Sequence, residues 1–182
     1  GIDDVRGYFI TQRNRIPIYA EPFTMARIEE GFGYCLKTPP GSSYPPIVAP
    51  VIVEDMDQPI VIDGAGGSIM LLPLVQQHGD IISLGFRIGD VAYCCDVSDF
   101  PEETVAKLSG LELLYIDALQ YRPHPSHLSL EQALGWIERL APKHAVLTHM
   151  HTPLDYETVM GETPPHVEPG YDQFVMEFEL DI

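Results

Sequence analysis

The order of apolar and polar residues predicts strands through the middle of the chain and helices mainly in its second half. Short apolar or alternating runs bounded by Gly, Pro and Asp are typical of strands and their turns. The predicted strands are residues 16–20, 48–53, 59–62, 68–75, 81–88, 91–96, 113–116, 145–148 and 174–180. Gly89-Asp90 predicts the turn of a hairpin between the fifth and sixth of these strands.

The clearest helix covers residues 129–140. Ser129 and Gln132 fit a capping box, in which each side chain bonds the backbone amide of the other residue. One face of this helix is apolar, through Leu130, Ala133, Leu134, Ile137 and Leu140. Three further helices are predicted at residues 24–31 with Thr24 as N-cap, at 101–109 with Ser98 or Asp99 near the cap, and at 156–160.

This succession of strands and helices predicts an α/β (α+β) fold. The 182 residues are enough for one domain with a sizeable core. Neither an internal repeat nor a linker divides the sequence, so residues 1–182 are predicted to form a single domain.

Composition narrows the classes of function. A formal net charge of −17 opposes broad contact with nucleic acid, so we expect no nucleic-acid partner. Apolar runs are too short to cross a bilayer, and we expect no membrane association. Three cysteines, of which Cys94 and Cys95 are adjacent, indicate reduced thiols and a cytoplasmic protein. A homodimer is expected from base rates alone.

Three residues that can bind a metal follow apolar strands. His78 follows Leu71–Val75, Asp96 follows residues 91–95, and His149 follows residues 145–148. Residues at the carboxyl ends of strands point into the crevice where α/β proteins bind ligands. Imidazole and carboxylate ligands suit Zn²⁺, Mn²⁺ or Fe²⁺, and one Asp can bridge two ions. Cys94 and Cys95 are predicted to pack within the strand rather than to bind metal.

A second concentration of functional residues lies just before the helix at 129–140. There Arg122 can bind a phosphate, and His127 can act as the general acid that protonates a leaving oxygen. The alternative is an ordinary turn with solvent-exposed histidines. Asp117 ends the preceding strand, where it either orients a histidine or caps the loop.

Together these residues resemble the metallo-β-lactamase superfamily. The resemblance rests on the order of His78, Asp96 after a hairpin, His127-Leu128-Ser129 opening a helix, and Leu147-Thr148-His149. More narrowly, the chain is similar to phosphodiesterases that cleave 5-phosphoribosyl 1,2-cyclic phosphate, and to their relatives of the tRNA 3′-processing type.

The resemblance implies a four-layer αββα sandwich with two divalent metal ions, Mn²⁺ or Zn²⁺, at one edge. It implies that His78, Asp96 and His149 bind metal, with Asp96 bridging, and that His127 donates the proton. Arg122 and His124 would lie at the substrate phosphate.

One departure concerns the superfamily signature His-x-His-x-Asp-His, which the chain lacks. In relatives a segment like Ile2-Asp3-Asp4-Val5-Arg6 follows it, so we expect that the chain is the C-terminal part of a longer domain whose N-terminal part is missing. Four of the usual ligands would then lie upstream. A chain that truly began at Gly1 should bind metal weakly, hydrolyse nothing and expose an apolar sheet face.

The leading hypothesis is a dinuclear phosphodiesterase acting on a small cyclic or nucleotide-like phosphate ester. A catalytically inactive nucleotide- or phosphate-binding relative is the first alternative, and a substituted signature motif upstream would favour it. A tRNA 3′-processing-type phosphodiesterase is the second alternative. Hydrolysis of a thioester or β-lactam fits the segment from Arg122 to His127 less well, because that segment suits a phosphate.

Overall fold

The computed structural model describes residues 1–177, which form two compact units, residues 1–55 and the described residues from 56 onward. The described elements confirm the predicted mixed α/β class. Within residues 1–177, none of the helices is long and apolar enough to span a membrane.

The first unit contains a small parallel sheet and two helices. After a 3-10 helix at Ile2–Val5 come α1 (Arg6–Gln12), β1 (Ile16–Ala20), α2 (Pro22–Leu36) and β2 (Val48–Ile52). Strands β1 and β2 pair in parallel, with Ile16 opposite Val48. Its core is formed by Cys35, Leu36, Ile47 and Val48, against which Phe9 and Ile28 pack.

Helix α2 is longer than predicted, since it covers Pro22–Leu36 rather than residues 24–31. The helix begins at Pro22, and its N-cap is Glu21 rather than the predicted Thr24. The Glu21 carboxylate accepts hydrogen bonds of 2.5 Å from the backbone amides of Phe23 and Thr24. Pro22 suits the first helical position because it has no amide hydrogen to leave unsatisfied.

The second unit is built on a seven-stranded sheet. Its strands are β3 (Ile60–Gly64), β4 (Gly67–His78), β5 (Ile81–Ile88), β6 (Val91–Cys94), β7 (Leu113–Asp117), β8 (His144–Thr148) and β9 (Val167–Pro169). They lie side by side in chain order. Neighbours from β3 to β6 are antiparallel, and neighbours from β6 to β9 are parallel. Consequently β4, β6, β7 and β8 all end at the same edge of the sheet.

Three helices cover one face of this sheet: α3 (Glu102–Lys107), α4 (Leu130–Leu140) and α5 (Tyr156–Glu162). The predicted capping box of α4 is present. Every second residue of β6, β7 and β8 packs in the core against the apolar side chains of α4 and α5. These strand residues are Ala92, Cys94, Leu114, Ile116, Ala145 and Leu147. Burial of this set fixes which side chains face away from the helices.

Three other differences from the sequence prediction concern short elements. The N-cap of α3 is Pro101, so neither Ser98 nor Asp99, predicted to lie near the cap, is the capping residue itself. Strand β9 was not predicted, because three residues that include a proline carry almost no strand signal. The predicted last strand is wrong for residues 174–177, which are neither helix nor strand, and its remainder lies outside the described residues.

Candidate functional site

The shared edge of β4, β6, β7 and β8 brings the predicted site residues together. His78 is the last residue of β4 and Asp117 the last of β7. Asp96 and His149 follow the ends of β6 and β8. His127 reaches the same edge from the loop between β7 and α4. The cluster therefore depends on the parallel direction of strands that are far apart in sequence.

His78 is fixed by the loop that carries His127. Its Nδ1 lies 2.7 Å from the backbone carbonyl oxygen of Ser126, and its ring meets the His127 ring edge-on at 4.7 Å. Gly79 lets this loop approach, because a Cβ there would lie 3.1 Å from the Ser126 Cβ and the backbone φ is +62°. With Nδ1 bonded to a carbonyl, the other ring nitrogen of His78 is left for a ligand.

His127 and Asp117 form a buried pair. The His127 Nδ1 lies 2.7 Å from Asp117 Oδ2, and Asp117 is fully buried. Burial raises the pKa of the Asp117 carboxyl, although the hydrogen bonds from His127 and from the amide of Val97 oppose this shift. Among residues 1–177, the second oxygen, Oδ1, has no hydrogen-bond partner. Asp117 thus orients the His127 ring.

Asp96 and His149 hold left-handed backbone conformations. Their φ angles are +54° and +61°. A residue with a Cβ is strained in such a conformation, so the surrounding structure must hold both residues in place. The His149 Nδ1 lies 3.5 Å from Asp96 Oδ1, and the His149 ring stacks on His127 at 4.9 Å.

The backbone at Asp96 is held by two polar side chains of neighbouring strands. The fully buried Gln76 donates from Nε2 to the Cys95 carbonyl at 3.0 Å, and the Ser83 hydroxyl donates to the Asp96 carbonyl at 2.7 Å. Gln76 also donates to Ser83, at 3.1 Å. Gly85 leaves room for Gln76, because a Cβ at this position would lie 2.5 Å from Oε1 of Gln76. Sequence reasoning missed both polar residues.

The two predicted phosphate-binding residues differ in position. His124 is half-buried, and its ring lies 5.1 Å from the His127 ring, so it belongs to the cluster. Arg122 is exposed, and its backbone carbonyl accepts a hydrogen bond from Gln120. Within residues 1–177, neither a hydrogen bond nor an ion pair joins the Arg122 side chain to the cluster.

The donor groups fit divalent metal ions. His78, Asp96 and His127 each offer a ligand atom within 4.8 Å of the others, and so do Cys95, Asp96 and His149. Asp96 is common to both groups, which suits a carboxylate shared by two ions. Cys95 was not predicted as a donor, since the alternating strand pattern indicated packing.

A cavity of about 460 Å³ opens beside His149. Aromatic and polar side chains form much of its wall, namely Tyr93, Tyr115, Thr148, Tyr171 and Phe174. Tyr115 and Phe174 meet edge-on at 6.4 Å. Its volume is in the range of a small-molecule site.

Comparison with known proteins finds a matching family model and a curated relative. Residues 1–150 match the family model described as a β-lactamase superfamily domain. A curated octanoyltransferase of Porphyromonas gingivalis is 31% identical over 175 residues, which are 94% of this chain and 34% of that protein. The chain thus spans about one third of the length of this relative.

Two solved structures show the likeness in three dimensions. A diphosphatase of the PhnP family has a TM-score of 0.84 and 30% identity, and the match covers 99% of this chain and 66% of that one. The metallo-β-lactamase fold protein YhfI of Bacillus subtilis has a TM-score of 0.71 and 14% identity, with 95% and 69% of the two chains covered. The predicted fold class is confirmed by these likenesses.

Proposed function

This chain belongs to the metallo-β-lactamase superfamily, and from that premise we propose that its strand-end cluster serves a metal-dependent phosphodiesterase. The proposed substrate is a small cyclic or nucleotide-like phosphate ester. The observation that carries the proposal is the hydrogen bond of 2.7 Å between His127 and the buried Asp117, set among His78, Asp96 and His149.

His78, Asp96 and His149 would hold two divalent ions, Mn²⁺ or Zn²⁺, and Asp96 belongs to both groups of donor atoms. When bound, such ions supply Lewis acidity and neutralise charge that develops on phosphoryl oxygens. This role explains why the half-exposed carboxylate of Asp96 lies beside the imidazoles of His78 and His149 at one edge of the sheet in a strongly acidic chain.

His127 is the proposed general acid. Because its Nδ1 bonds Asp117, the proton to be delivered resides on Nε2. The buried carboxylate stabilises the imidazolium until the leaving oxygen takes that proton. Asp117 also prevents the ring from rotating, so the proton is presented in one direction.

His124 is the proposed contact for the substrate phosphate, and Arg122 would join it only when its side chain turns toward the cluster. The cavity beside His149 has room for a small substituent of the ester.

The name diphosphatase, given to a similar solved structure, supports phosphoryl chemistry. The name octanoyltransferase does not redirect the proposal, since the chain spans only a third of that relative.

The proposal includes a reducing, cytoplasmic setting, supported by three free cysteines. It also includes a homodimer, for which size-exclusion chromatography with light scattering is the test.

The test of the proposed function is hydrolysis of bis-(p-nitrophenyl) phosphate by the full-length protein loaded with Mn²⁺ or Zn²⁺. We expect His127→Ala to lower kcat by about 10²–10⁴-fold while the bound metal, measured by mass spectrometry, is unchanged. His144→Ala is the matched control, because His144 is exposed at the opposite end of β8. Full activity in His127→Ala, or loss of its metal, would contradict the role of general acid.

A further inference from the structure

We propose that Cys95 is a thiolate ligand at the metal position that Asp96 and His149 share. This inference rests on the proposed function only in assuming that the cluster binds a divalent ion. It assigns to one of the two positions a mixed sulfur, oxygen and nitrogen donor set.

The distances among the three donors fit a single ion. Cys95 Sγ lies 3.3 Å from His149 Nδ1, and the same nitrogen lies 3.5 Å from Asp96 Oδ1. In a tetrahedral zinc site with ordinary bond lengths, neighbouring N and S ligands lie about 3.6 Å apart, and N and O ligands about 3.4 Å apart. The two observed spacings are close to the edges of such a tetrahedron, and the donor atoms of Cys95 and Asp96 lie within 4.8 Å of each other.

The strained backbone explains how consecutive residues reach one ion. Along a strand, successive side chains point to opposite faces, and Cys94 is accordingly buried against the helices. The φ of +54° at Asp96 breaks this alternation, so Cys95 and Asp96 both present donors at the same edge. A regular strand would have directed the Asp96 carboxylate toward the side of Cys94.

The surroundings of Cys95 hold its sulfur in place. Burial raises the pKa of the Cys95 thiol and the hydrogen bond from Tyr93 opposes this shift only in part, so a bound cation would supply the charge that favours the thiolate. Gln76 holds the carbonyl of Cys95, which prevents rotation of the peptide that carries the side chain. Partners of this kind orient a ligand in most protein metal sites.

A thiolate changes which metal the site prefers. Carboxylate and imidazole donors accept Mn²⁺ and Zn²⁺, whereas a thiolate favours Zn²⁺ and other softer ions. The position at Cys95 is therefore selective for Zn²⁺, while the position nearer His78 is the more tolerant of the two.

The test is the absorption spectrum of the full-length protein loaded with Co²⁺. We expect ligand-field bands in the visible range together with a thiolate-to-cobalt charge-transfer band in the near ultraviolet. In Cys95→Ser the charge-transfer band should disappear while the visible bands remain. Cys35→Ser is the matched control, because Cys35 is a buried thiol of the first unit, and it should keep the band.

Visible bands without a charge-transfer band in the unaltered protein would overturn this inference and leave the proposed function intact. A charge-transfer band that survives in Cys95→Ser would overturn it as well. The absence of every cobalt band would contradict the proposed function itself.

A second readout is the affinity for each metal ion. Cys95→Ser should lower the affinity for Zn²⁺ by at least about tenfold, while the affinity for Mn²⁺ changes less. Equal losses of affinity for both ions would contradict thiolate ligation.

Discussion

Asp96 and His149 face each other across the ends of β6 and β8, 3.5 Å apart, and both hold left-handed backbone conformations. Neither is a glycine, so the protein retains two strained residues where their side chains meet. Strain of this kind persists where the surrounding structure imposes it, and it gathers at functional sites.

The strain at His149 predicts a difference between two variants that both lack the imidazole. His149→Gly should be more stable than His149→Ala by about 1 kcal/mol, because only glycine adopts a φ near +61° without a steric penalty. Urea unfolding of the metal-free proteins measures this difference. Equal stabilities would mean that the backbone relaxes in solution.

The pair of Asp117 and His127 predicts a loss of turnover without a loss of metal. Asp117→Asn should lower kcat by about a hundredfold or more, since a neutral amide neither stabilises the imidazolium nor fixes its ring nitrogen. The KM should change little. Comparison of kcat and KM with those of His127→Ala completes the test, and an additive effect in the double variant would refute a shared role.

The hydroxyl of Ser83 predicts a coupling between stability and metal binding. Ser83→Ala leaves the Asp96 carbonyl without its donor and should lower the free energy of unfolding by about 1–3 kcal/mol. Metal affinity should fall in parallel, because the removed bond holds the Asp96 backbone. Ser68→Ala is the control, since this exposed hydroxyl donates to Asp63 of the neighbouring strand and its loss should change the free energy of unfolding by less than about 0.5 kcal/mol.

Glu21 predicts a pH-dependent contribution to the first unit. Although burial raises the pKa of Glu21, the hydrogen bonds from Thr24 and Phe23 outweigh it and lower the pKa below its ordinary value. A lowered pKa in the folded state means that the contribution is present above the unfolded pKa of about 4.3 and is lost as pH falls through the folded value. Glu21→Gln should therefore cost about 0.5–1 kcal/mol at neutral pH and almost nothing at the acidic end.

Chemical unfolding of the unaltered protein and of Glu21→Gln from neutral to acidic pH measures this prediction. Glu29→Gln, a change at an exposed position of the same helix, should show no such convergence. A difference that grows as the pH falls would refute the assigned cap.

The strand-end cluster could be predicted because strand patterns are periodic and parallel strands end together. His78, Asp96, Asp117 and His149 follow apolar runs, and this position alone directed attention to them. Cys95 could not be found in this way, because alternation places it opposite Asp96 until a left-handed φ intervenes. Periodicity carries no information on such a local conformation.

The hydrophobic pattern also did not predict the helix boundaries at the start of the chain. Residues 6–12 form α1 although none of them is fully buried, and seven residues are too few for the sequence to show a repeating apolar face. Glu21 serves as N-cap through a longer side chain than those usually found there. In both cases local hydrogen bonding, rather than hydrophobic periodicity, decides the structure.

Because the donors lie at the shared edge of β4, β6, β7 and β8, the binding site forms only after these strands have joined the sheet. Its donors come from strands far apart in sequence, and β8, which His149 directly follows, is joined to the earlier strands of the sheet through its pairing with β7. An unfolded or partly synthesised chain brings no such set of donors together. Acquisition of the ion should therefore be a late event in biogenesis that reports completion of the sheet, and it would not template the earlier pairing of β3, β4 and β5.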